Sequence, residues 1–151
     1  MLKAIFIIAV LSGIQDSHAK ADREINCLAR NIYFESLNQS EKARAAVGYV
    51  TMERVKSSHY PNTVCKVVYQ NKQFSWTLLP KSRQKIPSAK KKKVDYNEWL
   101  KIKKLAAKIY RGVYKKNPVK GATHFHKKTI NPYWANTMTR IKTIGDHIFY
   151  K

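Results

Sequence analysis

The chain has 151 residues, which is enough for one domain with a hydrophobic core and too few for two such domains. It carries 30 lysine and arginine residues against 9 aspartate and glutamate residues, a formal net charge of +21. A surface this basic repels itself and attracts polyanions such as nucleic acids, anionic lipid head groups or acidic wall polymers.

The first 19 residues have the pattern of a secretory signal peptide. Lys3 precedes an apolar run over residues 4–10, and the small residues Ser17 and Ala19 predict cleavage after Ala19, leaving a domain over residues 20–151. The apolar run is shorter than the roughly 20 residues that span a bilayer. A buried N-terminal helix and a weak, releasable membrane anchor are the alternatives. Export favours anionic envelope polymers or a lipid surface over nucleic acid as the partner.

The apolar spacing predicts two helices after this segment. Asp22 is the expected N-cap of the first, and Ser40 that of the second. The predicted core positions are Ile25, Leu28, Ala29, Ile32 and Tyr33 in the first helix, and Ala43, Ala46, Val47, Val50 and Val55 in the second.

The two cysteines, Cys27 and Cys65, indicate a disulfide, because an even pair in an exported protein is usually oxidised. The alternative is a free Cys27 acting as a nucleophile with His124 or His126. The apolar segment around Cys65 follows a Pro-Asn turn and is compatible with either a helix or a strand.

The second half of the chain changes from helical to strand-like patterns. Residues 79–94 are rich in Pro, Ser and Lys and predict an exposed loop that includes the run Lys90–Lys93. Asp95 and Glu98 have the spacing of a capping box for a long helix. The predicted buried stripe of that helix is Trp99, Ile102, Ala106, Ile109 and Val113.

After Asn117-Pro118, the alternating segment "GATHFHKKTI" predicts a strand, and Gly145-Asp146 between two β-type runs indicates a hairpin. Helices first and a small sheet last predict an α+β fold that is mainly helical.

Glu35 stands out because it follows the apolar residues Ile32, Tyr33 and Phe34 in a chain with few acids. Partial burial would raise its pKa, and a carboxylic acid that keeps its proton can donate it to a glycosidic oxygen. The alternative is a surface glutamate paired with one of the many lysines.

A hydrolysing glycosidase normally needs a second carboxylate, and none stands out here. The other acids have simpler interpretations: Asp22 and Asp95 as caps, and Glu24 and Glu98 as solvated residues. Glu41 is an acid in the first turn of its helix, Glu53 lies off the apolar face of that helix, and Asp146 is a turn residue. A single acid favours a reaction without an activated water, such as intramolecular attack by a sugar hydroxyl.

Histidines and aromatic residues form two further patterns. His124 and His126 lie on the same side of the predicted strand, where they could bind Zn²⁺ with His147 or Glu35, or simply line a sugar cleft. "QFSW" and "NPYWAN" place aromatic rings beside amide side chains, which suits sugar faces and N-acetyl groups. Ordinary core packing is the alternative for Phe74 and Trp134.

Three blocks, "CLARNIYFES", "AAVGYVTMERVKSSHYPNTVCKVVYQNKQFSW" and "GATHFHKKTINPYWANTMTRIKTIGDHIFY", resemble the SleB-like cell wall hydrolases, the spore cortex-lytic enzyme family. They run from about Cys27 to Tyr150, and residues 79–107 match poorly. The resemblance implies a lysozyme-like peptidoglycan glycosidase whose single catalytic glutamate lies in the "YFE" block, here Glu35. The implied reaction is lytic transglycosylation between N-acetylmuramic acid and N-acetylglucosamine, which yields a 1,6-anhydro end. Family members usually have Asn where this chain has Glu53. That acid is either an incidental surface residue or one that shifts the reaction toward hydrolysis.

We therefore expect an exported, monomeric enzyme that needs neither a metal nor another cofactor. Glu35 is its acid and base, and Cys27–Cys65 is a disulfide. The residues expected to bind substrate are Gln73, Ser75, His124, Tyr133 and Trp134. The expected partners are peptidoglycan glycan strands and anionic envelope polymers or a lipid surface, not nucleic acid. The alternatives are a zinc- or cysteine-dependent peptidoglycan peptidase and a non-enzymatic cationic binder of the envelope.

Overall fold

A computed structural model describes residues 3–114 and 116–151 of the protein, with side chains from residue 15 onward. The helices are α1 (Lys3–Ser36), α2 (Glu41–Lys56), α3 (Val64–Val68) and α4 (Lys93–Tyr110). The strands are β1 (His124–Lys127), β2 (Arg140–Ile144) and β3 (His147–Tyr150). Three short 3-10 turns occupy Ser75–Leu78, Lys81–Gln84 and Tyr133–Thr137. The predicted α+β, mainly helical fold is confirmed.

Helix α1 is the central element of the larger hydrophobic core, where it packs against α2, α3 and α4. Its predicted apolar stripe is correct, and Leu28 and Ile32 are fully buried. The prediction of Asp22 as N-cap is wrong, because the helix already runs from Lys3 and passes through this exposed residue. A helix that continues on both sides of an Asp leaves no free N–H group for it to cap.

The predicted signal peptide lies mostly outside the described side chains, because only the backbone is described over residues 3–14 and nothing over residues 1 and 2. The side chains of residues 15–20 are exposed, so this part of α1 is not buried. In the part of the chain that the structure describes, no helix is long and apolar enough to cross a membrane.

Helix α2 begins as the sequence predicts, because the Ser40 side chain accepts a hydrogen bond from the Ala43 N–H at 3.3 Å. Gly48 lies where α2 crosses its neighbours. A Cβ atom there would be 2.9 Å from Ile32 Cδ1 and 3.0 Å from Ile109 Cδ1. The absence of a side chain therefore allows α1, α2 and α4 to approach closely.

Helix α4 begins earlier than the predicted capping box implies. Its N-cap is Lys92, which makes no side-chain capping bond, and Asp95 lies in the first turn, 3.7 Å from Lys92 Nζ. Glu98 instead forms ion pairs with Arg44 at 2.9 Å and Lys101 at 2.7 Å. Val113 does not belong to the buried stripe: the helix ends at Tyr110, and Val113 is exposed.

The sheet is antiparallel with the strand order β1-β3-β2. The predicted Gly145-Asp146 turn joins β2 to β3, and Gly145 has a φ of +58°, a conformation that favours glycine. The strand predicted from Gly121 begins only at His124. A second core cluster between α2 and the sheet includes Val47, Val119 and Phe149, so the sheet packs on the helices.

The Cys27–Cys65 disulfide is present and joins α1 to α3 across a sequence separation of 38 residues. Its oxidised state leaves no free Cys27 for the nucleophile alternative. Beside it, the carboxylate of Glu24 is buried and accepts a hydrogen bond from the Cys65 N–H at 3.2 Å. The expectation that Glu24 is solvated is therefore wrong, because a backbone donor of α3 holds it inside.

We expect reduction of the Cys27–Cys65 bond to lower the free energy of unfolding by about 4 kcal/mol, because a closed loop of this size restricts the unfolded chain. Guanidinium titrations with and without reductant would measure this loss. The double variant Cys27→Ala/Cys65→Ala should be equally destabilised and insensitive to reductant. Equal stability of the wild type in both conditions would contradict the expectation.

Candidate active site

Glu35 lies in the last turn of α1, where it lines two cavities. The first cavity, of about 430 Å³, continues along the end of α1, the loop that follows it to residue 39, and the turn after β1. The second, of about 450 Å³, lies between residues 72–78, strand β1 and the 3-10 turn that carries Trp134. The two cavities form one groove centred on Glu35, because Glu35, Lys127 and His147 line both of them.

Burial raises the pKa of the Glu35 carboxyl above its ordinary value, and the charges of Lys127 and Arg54 act against this increase. Among the described residues, none donates a hydrogen bond to the Glu35 side chain or forms an ion pair with it within 4 Å. The alternative of a surface glutamate paired with a lysine does not match this environment. The carboxyl group is a desolvated acid that faces an open groove.

Arg54 is the buried cation of the site, and sequence reasoning missed it. Its Nε donates to the Thr123 carbonyl at 2.7 Å, and its Nη1 donates to Gln73 Oε1 at 3.1 Å. The guanidinium also lies over the rings of Tyr60 and Phe74, 5.2 and 5.1 Å from their centroids. Arg54 thus connects α2 to both sides of the second cavity. A signal was present, since Arg54 lies seven residues after the core position Val47 on α2.

Three of the predicted substrate-binding residues, Gln73, Ser75 and Trp134, line the second cavity together with Glu35. The Trp134 indole packs against His126 and Tyr150, with ring centroids 5.6 Å apart in both pairs. The structure therefore brings these three predicted residues to the same groove as the acid.

The other two predicted residues, His124 and Tyr133, do not line either cavity. The His124 ring is 5.1 Å from the Trp134 ring, and its Nδ1 is 3.0 Å from Thr123 Oγ1. Tyr133 is 90% exposed on the 3-10 turn that carries Trp134. Each is a neighbour of the groove through Trp134.

The histidines of the sheet have bonding patterns that bear on the zinc alternative. His126 Nδ1 is 2.9 Å from the Lys127 carbonyl oxygen, and His126 Nε2 is 2.9 Å from the Tyr150 hydroxyl oxygen. Because the carbonyl can only accept, His126 Nδ1 carries a proton and is not free to bind a metal. Within the described ranges, no group of three or more His, Cys, Asp or Glu side chains is placed to hold a metal ion.

His147 is a second buried residue that sequence reasoning named only as a metal ligand. It is 1% exposed, its two nitrogens have no hydrogen-bond partner among the described residues, and its ring packs edge-on against Phe125 at 5.2 Å. Burial lowers its pKa, and nearby Lys127 lowers it further. The environment of the ring in the groove wall therefore favours the neutral imidazole over the charged form.

Two further acids lie near the groove or were predicted to influence it. Asp146 lines the first cavity with Glu35, and its carboxylate accepts a hydrogen bond from Gln39 Nε2 at 2.6 Å. Glu53 lines neither cavity, because it accepts hydrogen bonds from Asn117 Nδ2 at 3.0 Å and the Gly121 N–H at 3.3 Å. Asp146 is therefore the acid that shares the groove, and Glu53 supports the loop before β1.

Comparisons with known proteins match this chain to one family. Residues 38–150 match the family model described as Cell Wall Hydrolase. Two spore cortex-lytic enzymes from Bacillus cereus are 28% identical to the chain over 147 residues, which cover 92% of this chain and 48% of each relative. The chain thus spans about half the length of these curated relatives.

Solved structures with the same fold include the catalytic domain of the germination-specific lytic transglycosylase SleB from Bacillus anthracis. It has a TM-score of 0.65 and 25% identity, with 85% of this chain and 93% of that domain covered. The catalytic domain of the Bacillus cereus SleB protein has a TM-score of 0.61 and 23% identity, with coverages of 85% and 89%. These similarities confirm the lysozyme-like part of the predicted fold class.

We expect the variant Glu35→Gln to become more stable relative to the wild type as pH rises. The raised pKa means that the folded wild type keeps a proton that the unfolded chain loses near the ordinary value of 4.5. The wild type therefore loses stability between that pH and its folded-state pKa, whereas an amide does not titrate. Unfolding free energies between about pH 4 and pH 8 would measure the difference.

Glu41→Gln is the matched control, since Glu41 is an exposed glutamate away from the groove. Its stability difference from the wild type should not increase in this way. A constant difference for Glu35→Gln across the pH range would show that the acid is not desolvated.

Proposed function

Because this chain belongs to the cell wall hydrolase family, we propose that it cleaves peptidoglycan glycan strands as a glycosidase of the lytic transglycosylase type. The resemblance to SleB-like enzymes indicated by the sequence is confirmed at the level of the family. One observation carries the proposal: a desolvated glutamate, with no hydrogen-bond partner in the described part of the chain, lies on the wall of an open groove.

In the first step, the protonated Glu35 donates its proton to the oxygen that bridges N-acetylmuramic acid and N-acetylglucosamine. The raised pKa favours this step, because burial lets the carboxyl keep its proton to a higher pH than an exposed glutamate would. Cleavage of the bond leaves positive charge on the anomeric carbon of the muramoyl sugar and a carboxylate on Glu35. Arg54 and Lys127, which favour the charged form, stabilise that carboxylate.

In the second step, the Glu35 carboxylate takes the proton of the muramoyl C6 hydroxyl, and the oxygen closes a 1,6-anhydro ring. The acid is restored and no water is consumed, so one carboxyl group is sufficient. The Bacillus anthracis neighbour is a lytic transglycosylase, which supports the same reaction type here. The competing route is hydrolysis, in which Asp146 would activate a water across the first cavity.

The second cavity supports sugar binding through residues that suit N-acetyl sugars. Trp134 offers an aromatic face, Gln73 and Ser75 offer polar groups, and Arg54 fixes the Gln73 amide by donating to its oxygen. His124 supports the Trp134 ring from the side. We propose Tyr133, which is highly exposed beside Trp134, as an outer contact for a longer glycan strand.

Peptidoglycan lies outside the cytoplasm, so this function requires export. We propose that residues 1–19 form the export signal and that residues 20–151 act as a monomer in the envelope. The net charge of +21 supports attraction to anionic envelope polymers or lipid surfaces.

We expect Glu35→Gln to abolish the release of soluble muropeptides from purified sacculi, a loss of at least about 100-fold, because the amide cannot donate the proton. Glu41→Gln changes the net charge equally and should keep wild-type activity. A zinc peptidase would instead lose activity with chelator, and a cationic binder would be unaffected by Glu35→Gln. Retained activity in Glu35→Gln would remove the proposed mechanism.

The product distinguishes the two glycosidase routes, because an anhydro end is lighter than a reducing end by one water. We expect mass spectrometry of wild-type and Asp146→Asn digests to show anhydro ends in both. Reducing ends in the wild-type digest, lost together with activity in Asp146→Asn, would establish the hydrolytic route.

A further inference from the structure

A third cavity, of about 570 Å³, adjoins the groove on the other side of Phe34. It lies between the end of α1, residues 83–88 and the start of α4. Phe34 lines this cavity as well as the first Glu35 cavity. The third cavity and the groove that contains the acid therefore border the same phenyl ring.

The cavity combines an apolar floor with a cationic rim. The apolar part consists of Tyr33, Phe34, Ile86 and Pro87, and the cations are Arg83, Lys85, Lys91 and Lys92. Asp95 is the one acid among the described lining residues, and it pairs with Lys92 at 3.7 Å. Among the described residues, Arg83, Lys85 and Lys91 have no ion-pair partner within 4 Å, and all three are exposed. Three cations thus lie beside an apolar surface, and no described acidic side chain forms an ion pair with them.

The segment that carries these cations is anchored to the core. Gln84 is 5% exposed, and its Nε2 donates to the carbonyls of Thr77 at 3.1 Å and Leu79 at 2.6 Å. Arg30 donates to the Gln84 carbonyl at 2.8 Å, and Ile86 packs on the main core cluster. The backbone that carries Arg83 and Lys85 is therefore held in place, so less ordering entropy is lost there when a ligand binds.

We propose that this third cavity binds the carboxylate-bearing peptide stem of the peptidoglycan strand that Glu35 cleaves. This inference rests on the proposed function. Stem peptides are attached to the muramoyl sugar, so a strand cleaved at that sugar presents its stem close to Glu35. A stem has alkyl side chains for the apolar floor and carboxylates for the rim. A polyol phosphate of the wall offers the charge but no apolar part, which favours the peptide.

The test compares two triple variants that remove the same charge. Arg83→Gln/Lys85→Gln/Lys91→Gln neutralises the rim, and Lys103→Gln/Lys104→Gln/Lys108→Gln neutralises exposed lysines of α4 that do not line the cavity. Initial rates are measured on stem-bearing sacculi free of wall phosphate, and on the same sacculi after an amidase has removed the stems. Binding is measured by co-sedimentation in the Glu35→Gln background.

On stem-bearing sacculi, we expect the rim variant to lose at least about fivefold in rate and binding relative to the α4 variant. After stem removal, the two variants should agree within about twofold. Equal losses in both variants would show that the effect comes from net charge and would contradict the stem site. A rim-specific loss that persists on stripped sacculi, or that appears only on sacculi retaining wall phosphate, would overturn the peptide assignment.

Failure of this inference is distinguishable from failure of the proposed function. A wild type that releases nothing from any sacculi contradicts the glycosidase, and the co-sedimentation comparison still tests the cavity. An active wild type with two equivalent triple variants contradicts only the stem site. Should the rim variant unfold, the single change Lys91→Glu on an exposed side chain makes the same comparison against Lys103→Glu.

Discussion

The desolvation of one carboxyl group, that of Glu35, is the constraint on which the site depends. Two features of the fold disfavour the charged form of this carboxyl group. The sheet and residues 72–78 cover the end of α1 and remove water from the side chain, which raises its pKa. Glu35 also lies at the C-terminal end of a long helix, whose last turn contains no basic residue. The partial negative charge at that end opposes a second negative charge.

Arg54 provides the opposing interaction and explains why the groove has a defined shape. It reaches from α2 to the Thr123 carbonyl before β1 and to the Gln73 amide beyond α3. A buried guanidinium is costly unless its donors are bonded, so these contacts fix its position. The same residue therefore joins the helical and strand parts of the groove. Its charge also opposes the increase in the pKa of Glu35. Replacing it would alter both properties together.

The sequence predicted the fold class, the disulfide, the second N-cap and the hairpin, because the first two follow from composition and pattern and the last two from short local motifs. It failed where distant segments decide. Asp22 and Asp95 have cap-like spacing, but the helices extend past both residues. Asp146 was correctly placed in a turn, yet only the packing of that turn beside α1 brings it to the groove. Arg54 and His147 were undervalued because burial of a polar side chain is a tertiary property.

The remaining difficulty is how a chain with a net charge of +21 can raise the pKa of a glutamate, since positive charge lowers the pKa of an acid. The distribution of the cations resolves it. Among the described residues, Lys127 and Arg54 are the cations that lower the pKa of Glu35, while the lysines of the run Lys90–Lys93 and of the outer face of α4 are exposed. Water and salt screen exposed charges beyond about 10 Å at 0.1 M ionic strength. Burial, rather than net charge, therefore sets the proton affinity of Glu35, and the surface can remain strongly cationic toward an anionic envelope.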